Sequence, residues 1–345
     1  MPQVNVAVVG AGRMGLTHYA IINAHPDVRV CGVVEPSTAV RAVLGKYSQA
    51  PLFADLDKMM RDCRPDALLV STPPVSHAEI LLAGLKRNLH VFVEKPCTTT
   101  AADARRYAEL YDAAGLIHQV GYVNRFNDVF AEVRRMMQAK TLGEIVRYRT
   151  EMLSRTVTSA NVSSGWRQTR KSGGGVTYEM AAHAIDLTGF LFGAADRAAG
   201  SRMTKVFSQA VEDIVSTTLV HPTGLTGTVF VNWCDESVRK PTNTIEILGT
   251  RGKIIANQHG LNVYLTEASQ QDGLPAGWSN QYITALAKPV AFYVRGNEFT
   301  RQLWYFIDRI RDRSLTSMCS MHDAADTLSL IERMFADPFT HDDSR

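Results

Sequence analysis

The chain has 345 residues, 45% of them hydrophobic and 21% charged, and a formal net charge of +3. That length is enough for two domains with real cores, and the composition is that of a soluble globular protein. The charge is too mild, and too evenly spread, to argue for a nucleic-acid partner; no apolar run approaches the length of a membrane span.

Val4 to Val9 reads as a buried strand that flows into Gly10-Ala11-Gly12-Arg13-Met14-Gly15 and then a helical stretch, Leu16 to Ala24. This is the G-x-G-x-x-G fingerprint with a strand before it and a helix after it. The first glycine permits a tight turn, the second lets the backbone approach a pyrophosphate, and the third lets helix pack on strand. Unpaired N–H groups at the helix start favour an anion there. A second strand, Val28 to Val34, ends at Glu35, about twenty residues past the last glycine, where a carboxylate accepts hydrogen bonds from ribose hydroxyls. These features predict binding of a dinucleotide through Gly10, Gly12, Arg13, Met14, Gly15 and Glu35.

Alternation continues: helix Thr38 to Gly45, strand Leu52-Phe53, helix Leu56 to Cys63, strand Ala67 to Val70, helix Ser76 to Arg87, strand Leu89 to Val93, helix Thr100 to Ala113, strand Ile117 to Val120. Such alternation predicts a parallel, doubly wound sheet, so an α/β Rossmann domain over residues 1–122. The apolar run Val91-Phe92-Val93 ends in Glu94-Lys95-Pro96. Ligands of open α/β sheets bind just outside the carboxyl ends of the strands, so Lys95 sits where chemistry is usually done.

The pattern changes near Gly121. Helix Asp128 to Gln138, strand Ile145 to Met152 and helix Met180 to Phe192 lead into strands Lys205 to Gln209, Ile214 to Val220, Gly227 to Trp233, Thr244 to Leu248, Lys253 to Ala256 and Leu261 to Leu265. Several strands in succession predict a second, α+β domain over 123–336 with a mostly antiparallel, open-faced sheet. One face needs cover, which helices from Met180, Phe299 to Arg311 and Asp323 to Phe335 are expected to supply in part. Residues Glu267 to Asn297 show no period and read as a long loop or an arm onto a neighbouring subunit. Residues 337–345 read as a polar, frayed tail.

Ser172-Gly173-Gly174-Gly175 precedes a helix on which Glu179, His183 and Asp186 fall at i, i+4 and i+3 spacings, giving a polar stripe among apolar residues. Buried polar groups must be satisfied or useful, so the stripe reads equally as a catalytic set and as a histidine held by two acids for structure. Five cysteines without C-x-x-C spacing, Cys31, Cys63, Cys97, Cys234 and Cys319, read as free thiols in a reducing compartment. The chain enters a strand at once, which argues against a signal peptide. A cytoplasmic location is expected, and no metal site is indicated.

Gly10 to Gly15, Ser71-Thr72-Pro73-Pro74 with His77, Glu94-Lys95-Pro96, Gly121-Tyr122 with Arg125-Phe126, and Gly173 to Gly175 followed by His183-Ala184-Ile185-Asp186 together resemble the glucose–fructose oxidoreductase/inositol dehydrogenase (Gfo/Idh/MocA) family. The resemblance spans most of the chain. It implies a nicotinamide between the two domains, beside Lys95 and His183, with Ser71, Thr72, Pro73, His77 and Glu94 lining the cofactor channel. For His77, a purely structural bond to backbone fits as well. The resemblance also implies a cis bond before Pro96 and homodimers or homotetramers. It implies hydride transfer between a carbinol carbon and nicotinamide C4 on a sugar, cyclitol or nucleotide sugar. His183 would move the proton and Lys95 would stabilise the charge developing on oxygen. Glu179 stands where the family usually has aspartate and would orient His183. A non-catalytic dinucleotide-binding regulator, and a sugar–sugar oxidoreductase with permanently bound cofactor, are the rival readings. Retention of both Lys95 and His183 favours an enzyme.

Glu35, with no arginine immediately after it, favours NAD over NADP. The basic stretch Ser154 to Ser172 carries Arg167 and Trp166, and with Arg125 it suggests an anionic sugar derivative as substrate. A solvated basic loop accounts for the same residues.

Overall fold

A computed structural model describes residues 3–160 and 166–336, with Trp166 described in its backbone only. The chain forms two compact units, Met1–Val123 with Pro289–Ala324, and Asn124–Lys288 with Ala325–Arg345. Trp166's side chain and the tail 337–345 therefore lie outside the described residues.

In the first unit, β1 (Val4–Val9), β2 (Val28–Val34), β3 (Leu52–Phe53), β4 (Ala67–Val70), β5 (His90–Val93) and β6 (His118–Val120) pair in the order β3-β2-β1-β4-β5-β6. Every pairing is parallel. The order reverses between β1 and β4, the switch point where open α/β sheets bind ligands. β4 is buried throughout, as the continuous Ala-Leu-Leu-Val run requires of a strand covered on both faces. The connecting helices are α1 (Arg13–Asn23), α2 (Thr38–Leu44), α3 (Leu56–Cys63), α4 (His77–Leu85) and α5 (Ala101–Ala113). Ser37, Asp55 and Thr100 cap three of them with side-chain oxygens, satisfying N–H groups that a helix start leaves unpaired.

The second unit contains α6 (Asp128–Gln138), β7 (Ile145–Leu153), α7 (Ala182–Phe192), and strands β8 (Arg197–Thr204), β9 (Ile214–Val220), β10 (Thr226–Asn232), β11 (Thr242–Gly249), β12 (Gly252–Asn257), β13 (Gly260–Leu265) and β14 (Gly277–Tyr282). These form one eight-stranded sheet, β14-β13-β12-β11-β7-β10-β9-β8, antiparallel except where β10 meets β7. The expected mixed, mostly antiparallel sheet is present. Strict alternation buries Val215, Val229, Val231, Ile245, Ile247, Ile254 and Val263 on one face, against which α6 and α7 pack.

Three sequence expectations are corrected. A strand was expected at Lys205 to Gln209; the strand is β8, ending at Thr204. The N–H groups of Val206, Phe207 and Ser208 turn instead onto one oxygen of buried Asp213, at 2.6, 2.7 and 2.8 Å. A carboxylate five to seven residues further along thus outcompetes a ladder, and strand propensity gives no hint of it. The stretch Glu267 to Asn297 is not structureless: β14 pairs antiparallel with β13, and α8 (Ile283–Leu286) follows. The residues of β14 alternate only between half-buried and exposed, so the hydrophobic period is weak.

The third correction concerns α9 (Asn297–Arg311), expected to cover the second sheet. Its Leu303, Phe306 and Ile307 are fully buried in the first unit's core with Val6, Val8, Ile21, Ile22 and Phe92. An apolar helical stripe says that a face is buried, not against which sheet. The last helix, α10, spans Met321–Ala336.

Asp213 also accepts the Trp233 indole N–H at 2.6 Å on its other oxygen. Burial pushes its carboxyl pKa up, but hydrogen bonds from Ser208, Trp233 and Val206 outweigh this and hold it below the usual carboxylate range. A depressed folded pKa stabilises the native state above the unfolded pKa of about 3.9, and that stabilisation is lost as pH falls through the folded value. Asp213→Asn is expected to cost about 1.5–3 kcal/mol near pH 7. Thermal melts of wild type and variant should converge as pH is lowered below about 4.

Candidate active site

The cofactor turn follows from two close approaches. A Cβ on Gly15 would lie 1.9 Å from the Gly10 carbonyl oxygen, and one on Gly10, at φ +93°, would lie 3.0 Å from the Ser71 backbone. A Cβ on Gly12 would meet nothing within 4 Å. Backbone at Gly12 therefore faces open space in front of α1, whose first-turn N–H groups have no side-chain cap. Those features fit a pyrophosphate. Glu35 closes the other side: its Oε2 accepts from Ala11 N at 3.0 Å and its Oε1 from Ser37 N at 2.9 Å. Each oxygen keeps a lone pair for a ribose hydroxyl. Arg41, unremarked in the sequence, donates through Nη1 to the carbonyls of Glu35 and Pro36, at 2.5 and 2.7 Å, and so fixes this loop.

Ser71 and Thr72 are half-buried and Pro73 is exposed at the end of β4. His77 is fully buried, with Nδ1 2.9 Å from the Pro96 carbonyl and Nε2 2.8 Å from the Thr72 carbonyl. Burial lowers its pKa, against the opposing pull of those carbonyls. His77 ties the loop after β4 to the turn after β5.

That second turn carries Glu94 and Lys95, both half-buried, and the Lys95–Pro96 bond is cis. The Glu94 carboxylate accepts from the Lys95 N–H at 3.3 Å and meets Nε2 of His18 at 2.6 Å. His18 lies on α1, is fully buried and stands edge-on to Phe92. A polar residue on the buried face of α1 was the missed signal in the sequence. A Cβ on Gly121 would approach the same carboxylate to 2.9 Å, which explains glycine there.

In the second unit the glycine run rests on Glu212. This carboxylate accepts from Thr177 N at 3.1 Å and Arg170 Nη2 at 3.2 Å. A Cβ on Gly175, at φ +95°, would sit 2.4 Å from it. Beyond the run the chain winds through a π-turn, Thr177–Ala181, in which Ala182 N bonds to the Thr177 carbonyl, before α7 begins. Such turns are frequent at functional sites. Glu179 lies in that turn and pairs with Arg167 at 3.2 Å; half-buried His183 and buried Asp186 follow in α7, where Asp186 meets Arg125.

Arg125 donates Nε to both Asp186 oxygens at 3.0 Å and Nη2 to Oδ1 at 2.7 Å. The two side chains are 7% and 1% exposed. The Arg125 charge therefore faces a buried carboxylate. Of the basic stretch, Arg167 and Arg170 each hold an acid, while Arg155 and Lys171 are exposed. Among the described residues no three His, Cys, Asp or Glu side chains are placed to hold a metal. All five cysteines are free, and among the described residues no helix is long and apolar enough to cross a membrane.

A parallel sheet in this order, with a glycine turn after β1 and an acid just past β2, defines a dinucleotide-binding Rossmann protein. Comparison with known proteins sharpens the class. A model described as "Oxidoreductase family, NAD-binding Rossmann fold" matches residues 4–122, and a "GFO/IDH/MocA C-terminal domain" matches 130–255. The chain belongs to the Gfo/Idh/MocA family of NAD-binding oxidoreductases.

Relatives include two Bacillus subtilis proteins. One is named scyllo-inositol 2-dehydrogenase (NAD(+)), 26% identical over 56% of this chain and 55% of that protein. The other is named scyllo-inositol 2-dehydrogenase (NADP(+)), 24% identical over 55% and 52%. The match thus spans about half the length of these relatives. A levoglucosan dehydrogenase solved with NADH and levoglucosan shares the fold, with TM-score 0.86 at 20% identity over 97% of this chain and 96% of that one.

Removing one partner of a buried pair leaves an unpaired charge and costs about 3–5 kcal/mol. Asp186→Ala should therefore lower the urea midpoint sharply, whereas Arg125→Met with Asp186→Leu should recover most of the loss. Equal midpoints for Asp186→Ala and wild type would show that the pair contributes nothing.

Proposed function

We propose that this protein is an NAD-dependent dehydrogenase or ketoreductase that interconverts a secondary alcohol and a ketone on a sugar, cyclitol or nucleotide sugar. The observation that carries the reading is the placement of Lys95. Half-buried Lys95 stands just past the carboxyl end of β5, on the same edge of the sheet as the glycine turn after β1. When bound, nicotinamide supplies the hydride acceptor or donor at C4.

The chain's own residues do the rest. Lys95 donates a charged hydrogen bond to the substrate oxygen, where negative charge grows as the carbon–hydrogen bond changes hands. A fixed cation helps that state more than the ground state. His183 takes the hydroxyl proton in oxidation and returns it in reduction, since imidazole titrates near neutrality. Glu179, held by Arg167, supplies negative charge one turn before His183 and favours its protonated form. Glu94, bonded to His18 and to the Lys95 N–H, fixes the turn that presents Lys95.

Glu35 accepts ribose hydroxyls and repels a 2′-phosphate, and Arg41 spends its donors on carbonyls rather than offering them to a phosphate. Both support NAD over NADP. The levoglucosan and inositol relatives support a neutral polyol as much as an anionic sugar, because Arg167 and Arg170 already hold acids. The first unit binds cofactor and the second binds substrate and carries the homo-oligomer contacts.

The test is to mix the protein with NADH or NADPH and a panel of keto-sugars, inososes and nucleotide sugars, and to follow nicotinamide absorbance. Consumption is expected with at least one ketone, at higher kcat/KM with NADH. His183→Ala should lower kcat/KM by about 10²–10⁴ and flatten its pH profile. Near wild-type turnover of His183→Ala at every pH would remove His183 from the mechanism.

A further inference from the structure

The stretch 289–296 belongs to the first unit, although it lies beyond both ranges matched by the family models. It brings Arg295 to the glycine turn. Nη1 of Arg295 donates to the thioether of Met14 at 3.5 Å, across 281 residues of sequence, and its guanidinium lies 5.4 Å from the centre of the Phe299 ring. Met14 is the second residue of α1, inside Gly10 to Gly15.

This is an odd resting place for an arginine. A thioether is a weak acceptor, and a guanidinium has five donors in a planar fork suited to phosphate. Among the described residues no carboxylate forms an ion pair with it. Burial lowers its pKa, and the neighbouring Arg13 cation lowers it further, with Glu94 pulling the other way. Two like charges thus stand together beside the positive end of α1. An arrangement of that kind is unfavourable alone and becomes favourable around a dianion.

We infer that Arg295 is a pyrophosphate-binding residue, a second cation beside Arg13 that completes the dinucleotide cradle from a distant part of the chain. The inference rests on the proposal that the turn binds NAD. Displacement of the Arg295–Met14 contact costs little, so the side chain is poised to move onto phosphate oxygens as they arrive.

The experiment is calorimetric titration of wild type, Arg295→Gln and Arg295→Lys with NADH and with ADP-ribose, each at several NaCl concentrations. Arg295→Gln should weaken both ligands by about ten- to a hundredfold, and Arg295→Lys by less. The dependence of affinity on salt should be shallower for Arg295→Gln than for wild type. NADH affinity of Arg295→Gln within twofold of wild type overturns the inference while leaving the dinucleotide reading intact. A loss of the same size at every salt concentration also overturns it, since Arg295 would then only shape the turn. Failure of wild type to bind NADH or ADP-ribose overturns the dinucleotide reading and this inference with it.

Discussion

Everything proposed for the first unit depends on one steric constraint, the absence of a side chain at Gly15. With the Gly10 carbonyl 1.9 Å from where a Cβ would stand, only glycine lets α1 start so close to the end of β1. That closeness aims the first-turn N–H groups of α1 at the sheet's switch point. Gly10 in turn lies against the Ser71 backbone, so the carboxyl ends of β1 and β4 form one floor. Cofactor binding, the place of Glu35 and the relevance of Lys95 at the same edge all follow from that geometry.

Around this frame, buried or half-buried acids do the organising. Glu94 joins α1, through His18, to the turn that carries Lys95. Glu212 fixes the glycine run, Asp186 neutralises Arg125, and Asp213 gathers three backbone N–H groups and an indole. An ionised group inside a protein is tolerated only when it is paired or hydrogen-bonded. Each of these carboxylates therefore forces specific neighbours into place, and two of them lead directly to residues assigned to chemistry.

The parts legible in the sequence were those with a local signal. Alternating strands and helices in residues 4–120, the glycine turn and Glu35 all carry their meaning in adjacent residues, and the bounds of β1, β2, β4, α3 and α6 agree with the structure. Pairing with side chains outside the element itself was not legible. The Lys205 to Gln209 stretch looks like a strand until Asp213 claims its N–H groups. The stripe on α9 looks like cover for the second sheet until Leu303 and Phe306 are found against Phe92. The helix expected from Met180 opens instead on a π-turn, Thr177–Ala181, that carries Glu179. Nothing beside Arg125 in the sequence announces its partner Asp186, 61 residues away. His18 and Arg295 were missed for the same reason.

The central claim is direct hydride transfer between nicotinamide C4 and a substrate carbinol carbon. It is tested most directly by reducing the preferred ketone in ordinary water with NADH deuterated at C4, on each face in turn, and weighing the alcohol by mass spectrometry. The account predicts a single deuterium on the new carbinol carbon with one face of labelled NADH and none with the other. Alcohol that carries only solvent hydrogen with both labelled forms would contradict it.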